Sequence, residues 1–448
     1  MQLDMTKGNP LKNILIFTLP LLIGNLFQQF YNMADTLIVG RFVGENALAA
    51  VGSTGTIMFL ILGFSIGIST GFTVLTAQAF GAHDIAHVRQ TVANALILSG
   101  IVIIITTVIS NVFMHPILHL MNTPENIYDD AYTYISIIAT GLAASVLYNL
   151  SSAILRAVGN SIIPLVSLVF SACLNVILDL VFIAKFKMGV AGAARATVIS
   201  QGLSAVLCFI YIFVKLHEIW PKKENIRLDL RDAQKQLSVG IPMSLQFAIT
   251  ASGTMIMQSA INLFGSKAVA AITAASKLHN IITQGMVSAG QTMATYCAQN
   301  YGVGDSKRIK EGVNSAFRAL VIYSLAAAAI GLLLLTPSLH LFFTDDGTEF
   351  SELLPLAKTY MYACVIFYIP LSMIFLFRNA MEGCGYGFLP MIGGVVELLS
   401  RAAAAAAAMY FHHFLLACLC DPAAWLFTGA YVFFAWQHVF KDVVKKIG

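Results

Sequence analysis

Twelve apolar runs, each long enough to cross a lipid bilayer as a helix, constrain this chain more than anything else in it. They fall at 13–39, 52–80, 91–115, 131–155, 162–184, 190–214, 238–263, 271–300, 313–337, 355–380, 387–410 and 414–438. About 20 apolar residues cover the hydrocarbon core of a bilayer, and inside it backbone polar groups must be satisfied within the segment. The expected fold is therefore an all-α integral membrane protein with twelve transmembrane helices. Composition agrees, since only 11% of the 448 residues are charged, against roughly a quarter in soluble domains. The first apolar segment, from Ile14, runs on past any plausible cleavage site and is expected to be a retained span.

Charge between the runs is uneven. The connection after the sixth run holds Lys215, Lys222, Lys223, Arg227, Arg231 and Lys235, and the tail holds Lys441, Lys445 and Lys446. Acidic residues gather on the alternate connections, with Glu125, Asp129 and Asp130 before the fourth run and Asp345, Asp346, Glu349 and Glu352 before the tenth. The positive-inside rule then places both termini in the cytoplasm, with the plasma (inner) membrane as the expected location. The net charge of +4 belongs to these loops and is no nucleic-acid signal. Seven cysteines lie mostly within apolar runs, and Cys418-x-Cys420 has no second pair, so neither a disulfide framework nor a zinc site is expected.

The chain repeats itself. FVGENALAAVG at Gly44 returns as FGSKAVAAITA at Gly265, and AQAFGAHD at Gln78 returns as AQNYGVGD at Gln299, both at an offset of 221. LPLLIGNLFQQF around Pro20 returns around Pro242, and LRAVGNSIIP ending at Pro164 returns as MEGCGYGFLP ending at Pro390, offset 226. Six spans per half is an even number, so both halves start on the same side. The halves are expected to be parallel repeats related by a pseudo-twofold axis along the membrane normal, a transporter plan. Expected limits are an N-lobe at 1–214, a cytoplasmic linker at 215–237 and a C-lobe at 238–448.

Ionisable residues inside an apolar span are costly and point to function. Asn175 and Asp179, four apart, share one face of a helix. Asp179 precedes the turn at Lys185–Gly189 and Thr197 follows it; at 1.5 Å per residue both lie roughly 9–12 Å below the same surface. Asp35 in the first run falls at a similar depth. Two carboxylates close together in low dielectric cannot both stay ionised alone, so either a proton is held or a hard cation such as Na+ sits among their oxygens.

The second half carries Lys277 alone in its span, Arg378 and Glu382 four apart, and Glu397 and Arg401 four apart. Internal ion pairs along each helix, or groups lining a cleft, are the two readings of these charges. Pro20 and Pro242 lie within spans and invite bends. Gly63, Gly67 and Gly71 make a ridge for close helix packing.

The stretches ADTLIVGRFVGENALAAVG at 34–52, AQAFGA at 77–82, LRAVGNSIIP at 155–164, LNVILDLVF at 174–182 and GVAGAARATVISQ at 189–201 together resemble the multidrug and toxic compound extrusion (MATE) family, its DinF-like branch above all. The resemblance covers almost the whole chain. It implies two six-helix lobes around a central cleft, and export of organic, often cationic, compounds driven by inward H+ or Na+. It implies a first-lobe cation site at Asp35, Asn175, Asp179 and Thr197, with a backbone carbonyl from Ala193. Gln28, Tyr134 and Pro20 match positions of its polar network and first-helix bend. Another branch has an acid in the seventh helix, eight positions after the proline, where this chain has Thr250.

The expected function is a secondary active antiporter working by alternating access. It is not an enzyme, needs no cofactor beyond the coupling ion, and acts as a monomer in the bilayer on a small organic substrate. The alternative is a flippase for a lipid-linked or amphiphilic precursor, which Lys277, Arg378 and Arg401 would suit if they lined a cationic cleft.

Overall fold

A computed structural model of the chain describes residues 3–121, 123–340 and 348–447, and among the described residues there is no β-strand. Asp345 and Asp346 lie outside the described residues, as does the side chain of Glu349. The helices in chain order are α1 (Pro10–Phe42), α2 (Glu45–Ser53), α3 (Gly55–Gly81), α4 (Ile85–Leu120), α5 (Glu125–Thr140), α6 (Leu142–Ala157), α7 (Ile162–Asp179), α8 (Gly189–Lys215), α9 (Leu230–Asn262), α10 (Gly265–Val303), α11 (Ser306–Leu339), α12 (Thr348–Ile366), α13 (Tyr368–Gly383), α14 (Phe388–Phe411), α15 (Phe414–Cys418) and α16 (Cys420–Ile447).

Eight of these helices are long and apolar enough to cross a membrane by themselves. Two more spans are bent pairs, α5 with α6 at 47° and α12 with α13 at 50°. The remaining two of the twelve are α10 and α16, whose polarity has a physical reason. Most of α10 is buried by other helices, so it presents little surface to lipid. In α16 the charges gather at the ends, Asp421 in the first turn and Lys445 and Lys446 in the last. Lipid-facing stripes lie elsewhere, as on α4, where Ile104 and Val112 are about two-thirds exposed.

Local chemistry repeats with the sequence. Asp84 caps α4 by accepting from the backbone N–H of His87 at 2.9 Å, and Asp305 caps α11 by accepting from that of Arg308 at 2.8 Å. The residue before each cap is left-handed, His83 at φ 58° and Gly304 at φ 81°. The halves differ after Gly44 and Gly265. Gly52 and Gly55 flank the break between α2 and α3, whereas Thr273 and Ser276 stand at those places in the unbroken α10, consistent with the low helix propensity of glycine.

The chain forms two compact units: Leu19–Phe247 with the segment ending at Asp4, and Met5–Thr18 with Ala248 onward. In the N-terminal unit the connection after α8 is pinned to α4. Arg89 Nε donates to the Glu218 carbonyl at 2.6 Å, and Asn94 and Asp229 exchange two hydrogen bonds at 3.0 Å. In the C-terminal unit the segment before α1 is held alike. Met5 N–H donates to Gln299 Oε1 at 3.0 Å, and Arg308 donates to the carbonyls of Met5, Lys7 and Gly8 at 2.8–3.1 Å. This gives the repeated AQ motif a role in the second half: Gln299 captures the chain ahead of the first span.

The glycine ridge of α3 meets the first part of α9. A Cβ on Gly67 would lie 2.7 Å from the Ser244 backbone, and one on Gly71 would lie 2.3 Å from the Gly240 backbone. Backbone has nowhere to retreat, so Gly71→Ala is expected to destabilise the N-terminal unit by about 1–3 kcal/mol. Thermal unfolding in detergent should show a lowered Tm for Gly71→Ala, whereas Gly52→Ala, with open space at its Cβ, should hold the wild-type value.

Candidate functional site

Three helices of the N-terminal unit bring polar side chains together in an apolar setting. Asp35 comes from α1, Asn175 and the fully buried Asp179 from α7, and Thr197 from α8. The carboxyl groups of Asp35 and Asp179 are neighbours in this cluster, and two carboxyls side by side in an apolar setting cannot both stay ionised without a proton or a cation to offset them. Asn175 spans the gap to α8. With its amide oriented to satisfy both neighbours, Nδ2 donates to Asp179 Oδ2 at 2.8 Å and Oδ1 accepts from the Thr197 backbone N–H at 3.1 Å. In a regular helix that N–H bonds the carbonyl one turn earlier, which here is Ala193. Asn175 thus shares a donor with Ala193, itself buried on the same face of α8.

The Thr197 hydroxyl lies 3.3 Å from the Asn175 amide and 3.4 Å from the Tyr31 hydroxyl. Tyr31 was not among the residues expected at the site. It sits one turn before Asp35 on α1, and that i,i+4 spacing was the available signal. Tyr134 of α5 is buried in the apolar cluster that also holds Val39, Ile183 and Ala193 beside the site. Gln28 stands two turns before Asp35 and donates to Asn32 at 3.3 Å; it joins the site's helix and not the carboxyl pair. Pro20 lies inside the continuous α1.

Local backbone form helps to place Asp179. It ends the α-helical part of α7, and a π-helical turn follows at Leu180–Lys185. Such turns insert a residue into the helical count and are frequent at functional sites. Opposite, α5 and α6 meet at Gly141, where any Cβ would strike Val198 at 2.4 Å, so this bend is set against α8 next to Thr197. Asp35 Oδ1 and Asp179 Oδ1 are both buried without a hydrogen-bond partner among the described residues. Oxygens in that state suit a hard cation, which takes carboxylate, amide and hydroxyl oxygens together.

The expected C-lobe charges behave differently. Arg401 Nη2 bonds Glu397 Oε1 at 2.9 Å, the i,i+4 pair along α14. Arg378 of α13 bonds Glu397 Oε2 at 3.2 Å across helices. Asp421 of α16, which the sequence reading did not include, bonds Arg401 Nε at 2.6 Å. Glu382 is buried one turn beyond Arg378. Lys277 is exposed on α10 and stands outside the pairs that join Arg378, Glu397, Arg401 and Asp421. Among the described residues no group of three or more His, Cys, Asp and Glu is arranged to hold a metal ion.

Fold and site together define a polytopic helical membrane protein with a dicarboxylate cluster buried in its first six-span repeat. The MatE family model matches residues 20–181 and 242–421, one stretch in each repeat, and the chain belongs to this family, the multidrug and toxic compound extrusion (MATE) transporters. It is 32% identical over 308 residues to the probable multidrug resistance protein YpnP of Bacillus subtilis (strain 168), covering 68% of each chain. It is 23% identical over 388 residues to the probable multidrug resistance protein NorM of Thermotoga maritima, covering 85% of this chain and 82% of that one. Among solved structures, a MATE protein in complex with MaL6 superposes with a TM-score of 0.90 at 20% identity, over 99% of both chains. An outward-facing MATE transporter of the MOP superfamily does so with a TM-score of 0.87 at 22% identity, over 99% of this chain and 97% of that one.

Asn175 is the joint between Asp179 and α8. Asn175→Ala is expected to cost about 1–3 kcal/mol, because it leaves buried polar groups unpaired, and to lower Tm in detergent. An unchanged Tm would mean that the amide is not bonded as described.

Proposed function

We propose that the protein is a secondary active antiporter that exports organic compounds, cationic or amphiphilic, in exchange for H+ or Na+ by alternating access. The observation that carries this reading is the neighbouring Asp35 and Asp179 carboxyls in one buried cluster, each with its Oδ1 lacking a hydrogen-bond partner among the described residues. An ion bound there stabilises one arrangement of α1, α7 and α8, and by linkage it drives substrate release only as far as it binds the two states differently. Relatives named as multidrug resistance or multidrug export proteins support an organic, foreign-compound cargo.

In this scheme Asp35, Asn175, Asp179 and Thr197 hold the ion, with the Ala193 carbonyl beside them and Tyr31 and Tyr134 closing the cluster. The repeats 1–214 and 238–448 are the two lobes, 215–237 is their cytoplasmic linker, and both termini face the cytoplasm of a plasma membrane in which the protein acts as a monomer. The flippase alternative rested on free cations in a cleft. Arg378 and Arg401 are taken up by Glu397 and Asp421, which removes most of that support.

Efflux of a compound panel from proteoliposomes under imposed pH or Na+ gradients tests the proposal. Asp179→Asn should abolish gradient-driven efflux; transport at the normal rate under either gradient would refute the site. Thr197→Val removes a neutral oxygen that Na+ uses and a proton does not. It should weaken Na+-driven transport by at least several-fold more than H+-driven transport, and equal losses would reject a Na+-specific role for this hydroxyl.

A further inference from the structure

The repeat offsets bring part of one polar cluster onto part of the other, while Asp35 and Asp179 themselves fall on Met257 and Ala405. The offset of 226 that carries Pro164 onto Pro390 carries Asn175 onto Arg401 and Ser171 onto Glu397, and the offset of 222 from Pro20 to Pro242 carries Tyr31 onto Gly253. In the N-terminal unit the first, fifth and sixth spans supply Tyr31 and Asp35, Asn175 and Asp179, and Thr197. In the C-terminal unit the first, fifth and sixth spans of the second repeat are α9, α14 and α16, and they meet at one guanidinium. Arg401 bonds Glu397 through Nη2 and Asp421 through Nε, while Nη1 packs on α9 where a Cβ at Gly253 would lie only 2.6 Å away. Where the first repeat has a tyrosine that reaches Thr197, the second has no side chain at all, and the vacated space holds the end of Arg401.

We propose that Arg401 is a built-in counter-cation that fills the second repeat's version of the cation site. A guanidinium stays protonated at all working pH values and is tethered to its helix, so it neither releases a proton nor leaves. The carboxylates of Glu397 and Asp421 are therefore neutralised in every conformation, and the protein exchanges a single monovalent cation per cycle, at the N-terminal cluster. Removing the Arg401 charge uncovers a latent site for Na+ or H+. Arg378 stays on Glu397 at 3.2 Å, which leaves Asp421 as the unneutralised group around which that site forms. The exchange of that cation and its assignment to Asp179 rest on the function proposed above, whereas the filling of the second cluster by Arg401 does not.

The test is a count of cations bound by the purified full-length chain, using radiolabelled Na+ at equilibrium and proton uptake followed with a pH indicator. The wild type should take up a single cation, and Asp179→Asn should take up none. Arg401→Gln should take up a second, and Arg401→Gln/Asp179→Asn should keep that one, while Arg401→Lys should count as the wild type does. A folded Arg401→Gln/Asp179→Asn chain that binds no Na+ and takes up no proton overturns the proposal. If the Arg401→Gln chains do not fold, the wild type and Asp179→Asn decide it: a wild type that binds two cations, one of them surviving Asp179→Asn, overturns it equally, and a single cation supports it. Retention of the single cation by Asp179→Asn alone counts against the N-terminal assignment and leaves the Arg401 readout intact.

Discussion

Two carboxyl groups in contact inside an apolar helix bundle cannot both carry charge without a third party. Taking each out of water costs several kcal/mol, and two unit charges about 4 Å apart repel by about 4 kcal/mol at an effective dielectric of 20. The sum rivals the net stability of a whole domain, about 5–15 kcal/mol. Asp35 and Asp179 therefore require a shared proton or a cation. The rest of the N-terminal unit follows from holding that pair together. Asn175 ties Asp179 to α8, the π turn ends α7 at the carboxylate, and Gly141 lets the α5–α6 bend close against Val198.

The C-terminal unit meets the same problem with a cation that belongs to the chain itself. Arg401 pairs with Glu397 and Asp421, and Arg378 pairs with Glu397 from the neighbouring helix. Breaking one member of a buried ion pair costs about 3–5 kcal/mol, because the partner is left uncompensated. That figure explains why such a network stays in place. A duplicated chain can in this way divide labour between its copies, one keeping an exchangeable charge and the other a permanent one.

Much of this was legible in the sequence because the physics is local. Spans announce themselves through runs of apolar residues, the duplication through nearly constant offsets, and Asn175 and Asp179 through spacing on one helix. The two bends and the π turn were not legible, since a one-residue change of helical pitch leaves no compositional mark. Tyr31 was passed over because a tyrosine in an apolar span reads as packing until its hydroxyl is seen beside Thr197. Charges in the second half were read by the i,i+4 rule, which found Glu397 with Arg401. It could not find Arg378 on Glu397 or Asp421 on Arg401, because pairing across helices depends on how each helix is rotated about its axis.

Glycine marks the same limit from the other side. Gly67 and Gly71 announce close packing by their spacing, yet the partner, the backbone of α9 at Gly240 and Ser244, is fixed only by the fold. Gly253 carries no such signal, standing alone among small and polar residues of α9. Its meaning comes from Arg401, whose guanidinium occupies the volume a side chain would take. A larger residue there would require the guanidinium of Arg401 to move, so the two positions are coupled through a contact that neither helix reveals by itself. In the first repeat the offsets put Tyr31 at the place of Gly253 and Asn175 at the place of Arg401, so a long side chain stands on the first span and a short amide on the fifth, the reverse of the second repeat.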